Sequence, residues 1–308
     1  MYKYILKRLL MMIPIIIGVT FIIFSMNYIT PGDPALLALG EAAPPEAVEA
    51  LREEMGLNRP FLVQYAYYMI NLLQGDLGLS SVTHRSVFLE ISDRFPTTLA
   101  LAFYGTILSV LIGVPLGIIS ATKQYSIFDS AATAAGLLAV SIPNFWLGLM
   151  LIITFSLNLG WLPPSGLDHP LGWILPIITL GTGSAALVMR ITRSSMLEVI
   201  RQDYIRTARA KGQKESIIIW KHAFRNALIP VVTAVGLDFG FLLGGAVLTE
   251  TIYALPGLGR FMVDSIRTRD FMVVQGGVLF LAIAFSLVNL AVDILYAYID
   301  PRIKSQYK

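Results

Sequence analysis

Two stretches of this chain, Phe95 to Thr122 and Ser130 to Leu167, contain no Asp, Glu, Lys or Arg at all. Runs of that length and composition cannot form the half-polar surface of a water-soluble helix or strand, and they restrict the chain to a fold whose solvent is mostly lipid. Composition agrees, with 56% hydrophobic and 14% charged residues among 308. A bilayer core needs about 20 mostly apolar residues in a helix. Six segments qualify: Leu9 to Ile29, Thr97 to Ala121, Ala131 to Leu159, Trp173 to Met189, Ala227 to Thr249 and Phe271 to Val292. Pro14, Pro115, Pro143 and Pro176 fall inside them, which packed membrane helices tolerate as kinks. Lys3, Lys7 and Arg8 precede the first segment as they would a secretory leader. The apolar run is too long for one and lacks a small-residue cleavage pattern, so it is expected to stay as the first helix.

Lysine and arginine favour the cytoplasmic side of a membrane. The segment Arg190 to Arg225 carries nine bases against three acids, and Arg302, Lys304 and Lys308 end the chain. Pro31 to Pro96 carries nine acids against four bases, and Gly160 to Gly172 has no Lys or Arg. The expected fold class is therefore an all-α polytopic membrane protein with six transmembrane helices and both termini cytoplasmic. Its parts are a first helix (1–30), an external region with short helices (31–96), a five-helix core (97–300) that includes a cytoplasmic loop (192–226), and a cytoplasmic tail (301–308). The external region divides into an acidic helical portion, Pro45 to Met55, and an aromatic one, Phe61 to Leu73.

Several chemistries lack material. There is no cysteine, and His84, His169 and His222 lie in separate segments outside the spans, so no metal site and no activated nucleophile is expected. The basic residues flank apolar spans rather than forming a face with interleaved aromatics, which argues against nucleic acid. A G-x-x-x-x-G-K-[ST] phosphate loop is absent, so the chain does not carry an ATPase site of that kind.

Three features could carry function. Between the fourth and fifth spans, Met196, Ile200, Tyr204 and Ala208 recur every four residues, the spacing of an amphipathic helix outside the bilayer, and Ala210-Lys211-Gly212 reads as its C-terminus. Periodicity alone allows a docking helix or a helix lying on headgroups. In the fifth span Gly236, Gly240 and Gly244 form a small-residue stripe, suited to close packing within the chain or to a subunit interface. Asp238 interrupts that span about 200° from the stripe. Lipid exposure would cost an ionised Asp at least ~2.5 kcal/mol, so it should face a wet pathway or a partner such as Arg190.

The stretch Asp203-Tyr204-Ile205-Arg206-Thr207-Ala208-Arg209-Ala210-Lys211-Gly212, followed by His222-Ala223-Phe224-Arg225-Asn226-Ala227-Leu228-Ile229-Pro230, resembles the cytoplasmic "EAA" loop of ABC importer permeases in its peptide-permease form. Further matching segments are Pro31-Gly32-Asp33-Pro34, Gly75-Asp76-Leu77-Gly78, Thr192-Arg193-Ser194-Ser195-Met196, Glu250-Thr251 with Leu255-Pro256-Gly257-Leu258-Gly259, and Asp300-Pro301-Arg302. The series is similar to the B-type membrane subunit of dipeptide and oligopeptide importers. The resemblance implies a type I importer fold. It also implies a second, C-type permease subunit, two cytoplasmic ATPase subunits that bind ATP and Mg, and an extracytoplasmic substrate-binding protein. It assigns Asp203, Tyr204, Arg206, Thr207, Ala208, Ala210, Lys211 and Gly212 to ATPase contact. Arg206 and Thr207 stand where the general pattern has Glu and Ala, so no salt bridge from that Glu carries over. Substrates within the family include peptides, glutathione and nickel complexes, and the residues do not choose among them. An ion-coupled carrier using Asp238 is the reading from a different class.

Overall fold

The structure is a computed structural model that describes residues 2–40 and 42–299, with side-chain surroundings for 5–36, 39, 40 and 42–295. The tail 301–308, with Arg302, Lys304 and Lys308, lies outside the described residues, as do Asp300 and the side chain of Lys3.

Among the described residues, five unbroken helices are long and apolar enough to cross a membrane. Four of them are α1 (Tyr2–Ile29), α5 (Val87–Thr122), α8 (Ile174–Ile200) and α13 (Phe271–Ile299). The fifth is α11 (Arg225–Ile252), continuous with α10 (Glu215–Ile217) through a π-helical turn, Ile218–Phe224. The sixth crossing departs from expectation. The segment Ala131 to Leu159 is not one helix but two, α6 (Ile127–Ser141) and α7 (Asn144–Leu151) with its π-helical extension to Asn158, bent by 98°. Pro143 causes the break: it has no N–H to donate, and it drives Ile142 out of the helical region to φ −79°, ψ 120°. The two halves still meet α8 in reverse order along the chain. Gly136 lies against Ala186 and Met189, Asn144 against Gly183, and Gly148 against Thr179.

Other boundaries shift as well. α5 begins ten residues before the expected Thr97, and at 36 residues it is about 54 Å long, well beyond a ~30 Å hydrocarbon core. The 31–86 segment holds α2 (Pro34–Leu39), α3 (Pro45–Glu54) and α4 (Phe61–Leu73), the latter two where an acidic and an aromatic helix were expected. α4 seats Phe61, Tyr65 and Tyr68 on Phe21, Phe24 and Tyr28 of α1 with ring centroids 5.0–5.8 Å apart. Asp33 caps α2 through the Ala35 amide at 3.0 Å and pairs with Arg52 of α3.

The centre of the bundle is the α5–α8 seam. On α5, Gly105, Ser109, Gly113 and Gly117 recur every four residues, so α8 approaches the α5 backbone itself. A Cβ on Gly113 would sit 2.6 Å from the Ala185 carbonyl, one on Gly117 2.7 Å from the Met189 carbonyl, and one on Gly181 of α8 2.9 Å from the Gly105 carbonyl. Backbone atoms cannot swing aside, so these glycines are required. In α11, Gly236 and Gly240 pack likewise on Val292 and Phe285 of α13. Gly244 does not join them: it is exposed, with nothing within 4 Å of where its Cβ would stand. The expected three-glycine stripe is thus a two-glycine contact, because no side chain of α13 reaches Gly244.

Charge placement fixes which ends lie together. Arg8 Nε reaches Asp293 Oδ2 at 3.1 Å, joining the start of α1 to the far end of α13. Ser80 donates to Asp270 Oδ2 at 2.5 Å, joining the 31–86 segment to the start of α13 at the opposite face. These contacts fit the orientation set by the basic residues.

Gly117→Leu is expected to abolish a cooperative thermal transition of the purified chain in detergent, whereas Gly244→Ala should leave its midpoint unchanged within about 1 °C, being a surface change. The Arg52 guanidinium beside Asp33 holds its carboxyl below the ordinary value. A depressed carboxylate contributes stability that is complete above its unfolded pKa and is lost as pH falls through the folded one. Hydrogen exchange of α2 and α3 should therefore speed up as pH drops from about 5 to about 3, after correction for intrinsic exchange, and Asp33→Asn should remove that dependence.

Candidate functional site

The long basic segment between α8 and α11 forms α9 (Asp203–Ala210) and the turn after it. The expected single helix through Met196, Ile200, Tyr204 and Ala208 is broken: α8 ends at Ile200 and Gln202 is extended at φ −72°, ψ 150°. Asp203 then opens a new helix, its charge favoured at the positive end of the helix dipole. The register of the buried face also differs by one residue. Ile205 is fully buried and Ala208 half-buried, while Asp203, Tyr204, Arg206, Thr207, Arg209 and Ala210 are exposed. Ile205 plugs a cluster made by Ile118 and Ala121 of α5, Met196 of α8, and Ile218, Ala223 and Ala227 of the α10–α11 helix. A helix of eight residues is marginal alone; this one stands because one side chain roots it in the ends of three spans.

α9 ends as its sequence indicates. Lys211 caps it, and Gly212 takes φ +71°, a left-handed conformation that glycine adopts without strain. Gly212 N–H donates to Arg209 O at 2.9 Å. The return strand of chain is tied down by Arg209 to Glu215 at 2.7 Å and by His222 Nε2 to Gln213 Oε1 at 2.8 Å. Arg206 and Lys211 remain exposed beside this turn, and Arg206 lies 3.7 Å from Asp203.

Next to this platform is a polar knot at Asp129. Its carboxylate, 4% exposed, receives Arg193 Nε at 2.7 Å and Nη2 at 2.9 Å, the Tyr125 amide at 2.9 Å and the Ser120 hydroxyl. A bidentate guanidinium with two further donors satisfies the anion, so α5, α6 and α8 are joined by one group. Arg193 belongs to a matched motif, but its partner 64 residues away was invisible to local reasoning.

At the other face Glu250, fully buried, accepts from Thr98 Oγ1 at 2.6 Å and from the Arg260 amide at 2.9 Å, at the N-terminus of α12 (Leu258–Arg267). A Cβ on Gly257 would sit 2.2 Å from the Glu250 carboxyl carbon. Glu250 and the Leu255 to Gly259 turn therefore form one packing unit, the carboxylate occupying the space the glycines leave.

Asp238 lies in the middle of α11, 8% exposed, beside Ser184 of α8, and its Oδ2 has no hydrogen-bond partner. Arg190 does not serve it: among the described residues no ion pair joins the two, and Arg190 is exposed. The side chain of Arg190 sits six residues along α8 from Ser184, on the basic end. Asp238 faces α8 while Gly236 and Gly240 face α13, so the carboxylate is on the other side of the helix from the glycines.

The arrangement is that of an all-helical, multi-pass membrane protein presenting a rooted helix at its basic face. Residues 113–305 match the family described as the binding-protein-dependent transport system inner membrane component, and residues 1–102 match the N-terminal region of such membrane components. The dipeptide transport system permease protein DppB of Alkalihalophilus pseudofirmus is 46% identical over 332 residues, covering 99% of this chain and 100% of the relative. The glutathione transport system permease protein GsiC of Pectobacterium atrosepticum is 45% identical over 304 residues, with 99% of each chain covered. The fold is shared with a chain of the inward-facing MetNI methionine ABC transporter at 22% identity and TM-score 0.56, covering 69% of this chain and 97% of that one. It is shared also with a chain of an amino acid ABC transporter crystallised with histidines, at 18% identity and TM-score 0.53, covering 70% and 94%.

The chain belongs to the binding-protein-dependent transport system inner membrane component family. It is a permease subunit of an ABC importer, a multi-pass protein of the bacterial inner membrane.

Removing one member of the buried Asp129 pair leaves an uncompensated charge, so Arg193→Ala is expected to destabilise the chain by about 3–5 kcal/mol, while Asp129→Leu with Arg193→Met should recover most of that loss. Denaturant titration of the three proteins in detergent measures it.

Proposed function

We propose that this subunit forms half of a path for short peptides and that α9 is the helix through which partner ATPases drive it. The observation that carries the second part is the division of α9: Ile205 is buried among the ends of the spans while Tyr204, Arg206, Thr207 and Ala210 face outward. A partner pressing on those outward side chains would move α5, α8 and α11 together through Ile205. The basic face suits an acidic groove on the partner, and Ala208 and Ala210 allow close approach.

The peptide class rests on the relatives. DppB is named for dipeptides and GsiC for glutathione, itself a short peptide, and both align along essentially the whole of this chain. The importer contains this chain with a C-type permease subunit, two cytoplasmic ATPases that bind ATP and Mg, and an extracytoplasmic binding protein that selects the peptide. Membership in the ABC permease family replaces the ion-coupled reading of Asp238.

Arg206→Glu combined with Lys211→Glu is expected to reduce co-purification of the ATPases with the permease pair, and ATP-dependent dipeptide uptake into vesicles, by at least about tenfold, because each reversal turns an attraction across the interface into a repulsion. Unchanged co-purification and uptake would leave α9 as a headgroup anchor and remove the docking role.

A further inference from the structure

The break between α6 and α7 lies deep in the membrane. It sits beside Gly183, nine residues from the start of α8 at Ile174 and ten from Arg193 at the basic edge, which is about 14–15 Å from either side. Two rows of backbone groups are left open there. The carbonyls of Ala139, Val140, Ser141 and Ile142 and the amides of Asn144, Phe145 and Trp146 have no hydrogen-bond partner among the described residues. The α6 ladder last closes with the Ile142 amide on Leu138 O at 3.1 Å, and the α7 ladder first closes with the Leu147 amide on Pro143 O at 3.0 Å.

These groups are not sealed within the subunit. Val140, Ser141, Pro143, Asn144, Phe145 and Trp146 are all exposed on its surface. Open backbone facing lipid is not tolerated at this depth; it occurs only where it is covered by protein or lines a water-filled cavity. Asn144, among the apolar Val140, Pro143, Phe145 and Trp146, adds an exposed side chain at the break that can both donate and accept. A second polar group stands at the same depth: Asp238 of α11, more than nine-tenths buried beside Ser184, with Oδ2 unpartnered. Among the described residues no cation pairs with it, so a cation brought into this layer would stabilise its ionised form.

We propose that the α6–α7 break lines the aqueous translocation route, and that its free amides and carbonyls with Asn144 hydrogen-bond the backbone of a passing peptide. Asp238 favours the peptide's ammonium end. The assignment rests on the peptide reading above. It suits a carrier of many sequences, because main-chain groups offer the pairing that every peptide shares and ignore side chains.

The test uses the complete importer in proteoliposomes, with single thiols placed in a chain that has no cysteine of its own. Ser141→Cys and Asn144→Cys are treated with a membrane-impermeant methanethiosulfonate, which needs a hydrated thiolate. Ile22→Cys, on the outer face of α1 and 60% exposed, is the reference. Both break thiols are expected to react at least about tenfold faster than the reference, and a transported dipeptide delivered by the binding protein should slow them at least about threefold. Asp238→Asn should raise the KM for uptake with kcat largely kept. Reaction as slow as the reference, in resting and vanadate-trapped complexes alike, would mean that the partner subunit or lipid covers the break and would overturn the proposal. Fast reaction that peptide does not slow, in a complex that imports the peptide, would overturn the contact site while leaving the peptide reading intact. A complex that imports no peptide would overturn both.

Discussion

The close approach of α5 and α8 is the contact on which the rest of the molecule depends. In lipid there is no gain from removing apolar surface from water, so helices associate through packing and polar contacts, and the tightest packing comes where side chains are absent. Gly105, Gly113 and Gly117 on one helix and Gly181 on the other bring carbonyls to within 2.6–2.9 Å of where a methyl would stand. Every functional feature is hung on that pair. The α6–α7 span follows α8 from Asp129 at one end to Gly148 at the other, Ile205 is plugged between the ends of α5 and α8, and Glu250 is held by Thr98 of α5.

Carboxylates show a second order. Asp129 is matched by an arginine and two other donors, Glu250 by a hydroxyl and a helix N-terminus, Asp270 by Ser80, and Asp293 by Arg8. Each lies where a span meets its flanking segment, where a buried anion with several donors can serve as a joint between helices. Asp238 differs in both respects, being at mid-helix and leaving an oxygen without a partner. The opened backbone of the α6–α7 break stands at the same depth, beside Gly183 of α8.

How much of this was legible depended on the range of the interaction concerned. Five of the spans follow from apolar length alone, and the end of α9 follows from Gly212, because both are properties of consecutive residues. The α8–α9 break was missed since Met196, Ile200, Tyr204 and Ala208 keep perfect four-residue spacing across it; periodicity registers which residues are apolar and not whether the helix between them is continuous. The same spacing promoted Tyr204 over Ile205, the residue that is in fact buried. Pro143 reads as a kink, since sequence does not tell how far a membrane proline opens a helix. Spacing names no partner: the glycine stripe expected on α11 keeps two of its three members, and the central stripe, on α5, was not among the expectations. The Asp129 to Arg193 pair spans 64 residues and could only appear once the helices were in place.

These elements also limit how movement at α9 can reach the middle of the membrane. Ile205 transmits to the ends of α5, α8 and α11, and α5 and α8 are locked by backbone contact, so they move as one body. Arg193 on α8 and Ser120 on α5 both hold Asp129, the third residue of α6, and thus carry α6 with that body. α7 is held further along the same α8, at Gly183 and Thr179. It is tied toward the other face, where Tyr253 donates to the Gly148 carbonyl at 3.1 Å and meets Thr179 of α8 at 2.9 Å. Between these two anchored halves lies Ser141 to Asn144, where no helical ladder resists a change of angle. A hinge requires a few residues that can absorb large φ/ψ changes while their neighbours stay rigid. The break is the place in this span with that property, and it is also where the open backbone groups are. A change of angle at the break would therefore alter the spacing of those groups directly.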